Sequence, residues 1–311
     1  MSLKLAITTS SFGQNDDKPL RILKQKKFEL IFNTLGRTLR NDEVIDLLKS
    51  CPAVIAGTEN YNVQVLSQLP DLRLISRCGV GTDTIDLELC KKRGIKVLTT
   101  PDAPTRAVAE LVLTMGLCLL KNIKQMDDDI RQHRWQKKMG ELFLGKKIGV
   151  IGFGRTGKEV ARLSHVLGAN VFFVDPFIKG KNRFSFAKKT TFENLLRTCD
   201  IISLHLPFTE SNYHLIGVKQ LALLKKNAIL INCSRGGIVD EHALYRVLKD
   251  GRLAGVGLDV FEQEPYQGPL VEFDNVILTP HIGSYAREAR INMETEAVTN
   301  LIQGLRSLKK K

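Results

Sequence analysis

Ile148-Gly149-Val150-Ile151-Gly152-Phe153-Gly154-Arg155-Thr156-Gly157-Lys158 is the stretch on which the reading of this chain turns. The apolar run 148–151 predicts a buried strand, and the pattern over 157–167 predicts a helix. Between them the glycines fit G-x-G-x-x-G, a weak signal alone but one that here has the context its mechanism needs. Gly152 permits the tight turn, Gly154 lets the backbone approach a pyrophosphate, and Gly157 lets helix and strand pack closely. The helix N-terminus offers N–H donors and the positive end of a dipole to phosphate oxygens. A second strand, 170–174, leads into Asp175, near the ~20-residue interval at which an acid meets the ribose hydroxyls. Its charge would repel a 2′-phosphate, and Pro176-Phe177 follow it, not an arginine, so NAD is expected over NADP. With Phe153, Arg155 and Thr156 the glycines make up the expected cofactor turn. The plain alternative is a turn that binds nothing, with Asp175 closing a loop. The ordered sequence of strand, turn, helix, strand and acid argues against it.

Working outward, the chain alternates short apolar runs with helical patterns, the mark of parallel α/β sheets. Strands are expected at 3–8, 53–56, 74–76 and 96–98, with helices such as 42–49 and 62–68 between them. Further strands are expected at 147–151, 170–174, 201–204, 228–232 and 253–258, with helices such as 191–197 and 241–249 between them. Asn41 is the expected N-cap of the helix beginning at Asp42. No repeat or low-complexity linker interrupts the pattern. Two doubly wound domains follow, with crossings expected near Thr100-Pro101 and near Gly283-Ser284. In sheets of this kind ligands sit at the carboxyl ends of the strands, where strand order reverses. Two such domains facing each other would form a cleft.

Three later segments each carry a reactive residue just past an apolar run: Asn232-Cys233-Ser234-Arg235-Gly236-Gly237, Glu262-Gln263-Glu264-Pro265 and Thr279-Pro280-His281-Ile282-Gly283-Ser284. Oxidising a 2-hydroxy acid requires a base for the hydroxyl proton, which an imidazole supplies near neutral pH. It requires a cation to hold the carboxylate and polarise the developing carbonyl, a task suited to a guanidinium. A carboxylate beside the imidazole would orient it. His281, Arg235 and Glu264 are these three groups. Taken singly each has a bland reading, as a core histidine, a surface arginine and a turn glutamate; their joint occurrence behind a dinucleotide fingerprint reverses it. His205, in Leu204-His205-Leu206-Pro207, lies at a strand end suited to a nicotinamide pocket. His133, His165, His214 and His242 read as surface or capping residues. No cluster has metal-ligand spacing, so no metal is expected.

At 311 residues the chain suits two domains, and 43% hydrophobic with 25% charged residues is a globular composition. The apolar run 107–120 is broken by Glu110 and reads as a buried helix, not a membrane span. No leader pattern is seen, and the six cysteines lack close pairing, so a reduced cytoplasm is expected. The net charge of +13 is dispersed in short basic groups, without the stripe and interleaved aromatics of a nucleic-acid surface. It reads as solvated charge that also attracts anionic substrates. Lys309 to Lys311 read as a frayed tail.

Across essentially its whole length the chain resembles the D-isomer-specific 2-hydroxyacid dehydrogenases. The matching segments are 76–83 (Ser-Arg-Cys-Gly-Val-Gly-Thr-Asp), 107–111, 152–157, 205–207, 232–237, 257–261 and 280–283. The resemblance implies a Rossmann NAD domain, 101–283, inserted in a smaller flavodoxin-like substrate domain formed by 1–100 and 284–311. It implies Arg235, Glu264 and His281 as the catalytic set. Arg77, Cys78, Gly79, Val80 and Gly81, with Arg235, would line the substrate side, where backbone N–H groups face the carboxylate. His205, Leu206, Pro207, Cys233 and Asp259 would border the nicotinamide, and Ser234 and His281 would also belong to the cofactor site. It further implies a homodimer packed through the helix from about Thr105 and the arm through Trp135. Within the family the chain looks most like the 3-phosphoglycerate dehydrogenase branch, and the resemblance implies a form without a regulatory extension. That branch often carries an arginine after the strand corresponding to 53–56; here Gly57-Thr58-Glu59 stand there. A glyoxylate or hydroxypyruvate reductase remains the alternative within the class. An NAD-sensing, corepressor-like binding protein is the alternative outside it, and formate or phosphite oxidation has no distinctive support.

Overall fold

The computed structural model describes residues 3–179 and 184–308; the basic run at Lys309 to Lys311 lies outside them. The chain divides into two compact units, Met1–Pro104 with Tyr285–Lys311, and Thr105–Ser284.

The first unit runs β1 (Lys4–Ile7), α1 (Lys18–Gln25), β2 (Glu29–Phe32), α2 (Asn41–Leu48), β3 (Ala53–Ala56), α3 (Val63–Ser67), β4 (Leu74–Arg77), α4 (Leu87–Lys92) and β5 (Lys96–Leu98). All pairings are parallel, in the order β2-β1-β3-β4-β5. β3 and β4 are buried along their whole length, as central strands covered on both faces must be. Strand order reverses between β1 and β3. Asn62 and Asp86 cap α3 and α4 by accepting from Val65 N–H and Leu89 N–H. The expected cap of α2 is displaced by one residue: Asn41 is already helical and Arg40 is the cap. The Glu43 carboxylate reaches back to the Arg40 N–H at 2.8 Å, and this bond, not a short polar side chain, sets the start.

The second unit begins with α5 (Thr105–Leu120) and α6 (Ile123–Arg131). It continues through β6 (Lys147–Ile151), α7 (Arg155–Val166), β7 (Asn170–Val174), β8 (Lys188–Lys189), α8 (Phe192–Thr198), β9 (Ile201–Leu204), α9 (Val218–Leu223), β10 (Ala228–Asn232), α10 (Glu241–Lys249), β11 (Leu253–Leu258) and β12 (Val276–Leu278). The parallel sheet has the order β12-β11-β10-β9-β6-β7-β8, reversing between β6 and β9. The apolar helix α5 packs on β10 and β11. Among the described residues no helix is long and apolar enough to cross a membrane.

The last helix, α11 (Arg287–Leu308), returns to the first unit. Its buried face, with Met293, Ala297, Val298 and Leu301, joins Leu5, Ile7, Ile55 and Leu74 in one apolar cluster. Each larger side chain so buried contributes about 1.5–3 kcal/mol before conformational entropy is counted. Ser76 Oγ donates to Ala297 O at 2.7 Å and Asn300 Nδ2 to Thr99 O at 2.9 Å, which fixes the rotation of the helix on the sheet.

Candidate active site

The glycine turn occupies the reversal point of the seven-stranded sheet. Gly152 has φ +88°, and a Cβ there would lie 2.3 Å from His205 O. A Cβ on Gly157 would meet Gly152 O at 2.0 Å, so the first turn of α7 can rest on the turn only without a side chain. Around Gly154 nothing lies within 4 Å of the same position. Two glycines therefore serve close packing and the third leaves an open space against the N-terminus of α7, where Arg155 and Thr156 begin the helix. That open cradle fits a pyrophosphate. Asp175, half-buried at the end of β7, accepts from Phe153 N–H and Phe177 N–H, each at 2.8 Å. These bonds hold the carboxylate beside the turn. Phe153 contributes backbone only; its ring is buried and stacked on Phe173 at 3.8 Å.

His205 directly follows β9, across the same reversal. Its backbone N–H donates to Ile151 O at 2.8 Å, and Ser203 Oγ lies 2.8 Å from its Nε2. Burial pushes the imidazole down to about 3, so it is neutral at physiological pH. Leu206 Cδ2 would sit 2.9 Å from a Cβ on Gly152, which brings the 205–207 segment against the turn; Pro207 is exposed.

Arg235, Glu264 and His281 follow three adjacent strands, β10, β11 and β12. Asn232 shapes the first loop, accepting from Ser234 N–H at 3.0 Å and Ser234 Oγ at 2.7 Å while donating to Arg235 O at 2.8 Å. A Cβ on Gly236 would lie 1.7 Å from Phe261 O, so the loops after β10 and β11 touch backbone to backbone. Glu264 accepts from Phe261 N–H at 3.2 Å through Oε1 and meets His281 Nδ1 at 2.9 Å through Oε2. Partial burial pushes the Glu264 carboxyl upward. The His281 hydrogen bond and charge, the Phe261 N–H and the Arg235 charge outweigh it and hold the group below its ordinary value. Arg235 is thus close enough to act electrostatically on the Glu264–His281 pair.

His281 sits at φ +55°, with its N–H on Thr279 O at 2.9 Å. Asp259, 1% exposed, holds this unusual turn, accepting from Thr279 Oγ1 at 2.6 Å and from the N–H groups of Ile282 and Gly283 at 2.7 Å each. Burial raises its carboxyl above the usual value despite those bonds. The Cys233 thiol is buried 3.7 Å from Met115 Sδ, and burial pushes it well above the usual range. Ser234 is buried against Asn232.

In the first unit the 77–81 loop is built around Arg77. Its guanidinium donates to Gly81 O at 3.2 Å, Cys78 O at 3.1 Å and Ala56 O at 3.4 Å, so it supports the loop from beneath. Cys78 points into the core, its thiol pushed up by burial to about 12. Gly79 donates to Thr100 Oγ1 at 2.9 Å, and Val80 is exposed. The roles of Asn232, Thr279 and Ser203 were not read from sequence; the first two stand inside the quoted loop segments, and Ser203 has no local signal. No group of metal-ligating side chains occurs among the described residues.

Residues 113–283 match the family model described as D-isomer specific 2-hydroxyacid dehydrogenase, NAD binding domain. A glyoxylate reductase of Thermococcus litoralis is 40% identical over 256 residues, covering 79% of this chain and 77% of that protein. A D-3-phosphoglycerate dehydrogenase of Methanocaldococcus jannaschii is 38% identical over 259 residues, covering 81% of this chain; the matched region spans 49% of that protein's length. The structure of a D-lactate dehydrogenase from Aquifex aeolicus, complexed with NAD and lactic acid, superposes with a TM-score of 0.85 at 29% identity, covering 98% of this chain and 96% of that one. The chain belongs to the D-isomer-specific 2-hydroxyacid dehydrogenase family, and its dinucleotide site is of the NAD-binding kind.

Proposed function

We propose that the protein is an NAD-dependent dehydrogenase interconverting a small D-2-hydroxy acid and its 2-keto acid. The observation that carries the reading is the His281–Glu264 pair with Arg235 on three consecutive strand ends of the sheet that bears the glycine turn. Bound NAD supplies the hydride acceptor. Gly152, Gly154, Gly157 and the first turn of α7 hold its pyrophosphate and Asp175 its ribose. An ionised Glu264 can only accept, so Nδ1 of His281 carries a proton and Nε2 is left to exchange one with the substrate hydroxyl. Arg235 holds the substrate carboxylate and polarises the adjacent carbonyl. In this reading the 77–81 loop of the first unit serves substrate binding through the N–H groups of Val80 and Gly81. The first unit is then the substrate domain and the second the NAD domain.

Within the class, 3-phosphoglycerate and shorter unphosphorylated acids both have support from relatives, which carry names of either kind. The Gly57-Thr58-Glu59 segment favours the unphosphorylated reading. A homodimer also belongs to the proposal. Trp135, Met139, Leu142 and Leu144 are 82%, 95%, 66% and 67% exposed along one arm, and an apolar stretch of that extent suits burial against a second copy. Sedimentation of the purified protein tests it. Cytoplasmic residence is supported by six free thiols.

The deciding experiment is NADH oxidation against 3-phosphohydroxypyruvate, hydroxypyruvate, glyoxylate and pyruvate. Turnover of any of them upholds the dehydrogenase. NADH binding without turnover of a broad 2-keto acid panel overturns it in favour of a dinucleotide sensor.

A further inference from the structure

The loops that carry Arg235 and Glu264 are both bonded to one residue that belongs to neither, His214. It lies between β9 and α9, within the second unit. Its backbone N–H donates to Gly237 O at 2.7 Å, on the loop after β10. Its ring Nε2 lies 2.9 Å from Glu262 Oε1, on the loop after β11. A carboxylate has only acceptors, so Nε2 is the donor. His214 sits at φ +51°, in the left-handed region that a non-glycine residue rarely takes. Leu215 N–H on Asn212 O at 3.1 Å and Ile216 N–H on Ile238 O at 3.0 Å hold the turn there. The Tyr213 ring stacks on the imidazole at 3.9 Å, with the planes 19° apart. A residue kept in a sparse conformation by so many contacts points to a use.

Glu262 is fastened on a second side as well. Its N–H donates to Glu241 Oε1 at 2.7 Å, and its Oε1 accepts from Glu241 N–H at 3.3 Å. Glu241 opens α10, whose cap Asp240 accepts from Ala243 N–H at 2.9 Å and places Oδ2 3.8 Å from His214 Nδ1. Phe261 N–H, the donor on Glu264 Oε1, is one residue before Glu262. A loop that lifts from its anchors at Glu262 therefore disturbs the bond that aims Glu264 at His281. On the other loop, Gly237 is two residues beyond Arg235. His214 thus ties together the two loops that already touch at Gly236 and Phe261.

We propose that His214 is a positioning residue that holds the Arg235 and Glu264 loops in register with each other. This rests on the dehydrogenase reading above. The role needs no contact of His214 with substrate or cofactor, and every group in it belongs to the second unit. Without the ring, Glu262 keeps its bonds to Glu241, so the loop is loosened and not released.

The test measures kcat with glyoxylate, hydroxypyruvate, pyruvate and 3-phosphohydroxypyruvate, and NADH affinity by fluorescence titration, well below the melting temperature of each protein. His214→Ala is expected to lower kcat by about 10-fold or more, a fraction of what a 1 Å misplacement can cost, while NADH affinity stays within about 3-fold. His214→Gln restores an N–H donor at the same non-glycine backbone position and is expected to recover kcat to within about 3-fold of wild type. Glu262→Ala is expected to match His214→Ala, and the double variant to lose nothing further, because one bond is removed in all three. Losses that multiply in the double variant overturn the proposal, and so does a glutamine variant no better than alanine. Wild-type kcat in a folded His214→Ala protein overturns it and leaves the dehydrogenase intact. If His214→Ala does not fold, Glu262→Ala against Glu262→Gln, which keeps an acceptor oxygen, decides alone: equal kcat in the two overturns the proposal. Absence of turnover by wild type with every keto acid instead overturns the dehydrogenase reading, and the His214 assignment with it.

Discussion

His281 Nδ1 lies 2.9 Å from Glu264 Oε2, and each residue is carried on a loop anchored by other bonds: the histidine's by Asp259, the glutamate's by the Phe261 N–H. The pair is therefore set before substrate arrives, and the side chains, both roughly two-fifths exposed, are open to a ligand. His281→Ala should lower kcat by about 100-fold or more, the usual worth of a general acid–base. NADH affinity, measured by fluorescence titration, should stay within a few-fold of wild type. Comparable turnover in the two proteins would remove His281 from the proton-transfer role.

Gly236 and Phe261 test whether loop contact matters to Arg235. A Cβ at 236 would lie 1.7 Å from Phe261 O and 2.2 Å from its carbonyl carbon, and neither backbone can yield without moving its loop. Gly236→Ala should therefore shift Arg235 relative to Glu264 and lower kcat by about 100-fold, the scale of a 1 Å misplacement. The glycine turn after β6 is untouched, so NADH should still bind. A variant with wild-type kcat would mean that the loops adjust independently.

Much of this arrangement is legible in the sequence because the central strands are short, continuous apolar runs. Residues 147–151, 170–174, 201–204, 228–232 and 253–258 are expected as strands and found with those bounds. The chemistry-bearing loops are legible because each reactive residue follows such a run. What escapes is non-local. β2, Glu29-Leu30-Ile31-Phe32, is not among the expected strands although three of its four residues are apolar; it lies at the sheet edge and none of it is fully buried. The start of α2 depends on Glu43 turning back to Arg40. Asp259 holds the His281 turn from a different strand, and Arg77 turns under its own loop; neither direction follows from spacing along the chain.

Asp175 is bound by two backbone N–H groups, so it serves the turn as well as any ribose. Asp175→Asn removes the negative charge and keeps one acceptor oxygen. The ratio of kcat/KM for NADPH over NADH should rise by about 10-fold or more, because repulsion of a 2′-phosphate is lost. An unchanged ratio would locate cofactor choice elsewhere, and a large fall in melting temperature would show the structural role to dominate.

His205 ties the cofactor edge to the pH dependence of stability. Its folded-state value is about 3 against an ordinary 6.5, because burial disfavours the imidazolium. Above about 6.5 both folded and unfolded states carry the neutral ring, and the group is silent. Between 6.5 and 3 the unfolded chain binds a proton that the folded chain refuses, so stability is lost as pH falls through that window. His205→Gln cannot take up that proton in either state. The melting temperature of wild type, measured without cofactor from pH 8 to pH 4, should therefore fall more steeply than that of the variant. The carboxylates that titrate at the acid end are common to both proteins and cancel in the comparison. Parallel curves would mean that His205 accepts its proton in the folded state as readily as in the unfolded one, and that the ring is not held neutral at the mouth of β9.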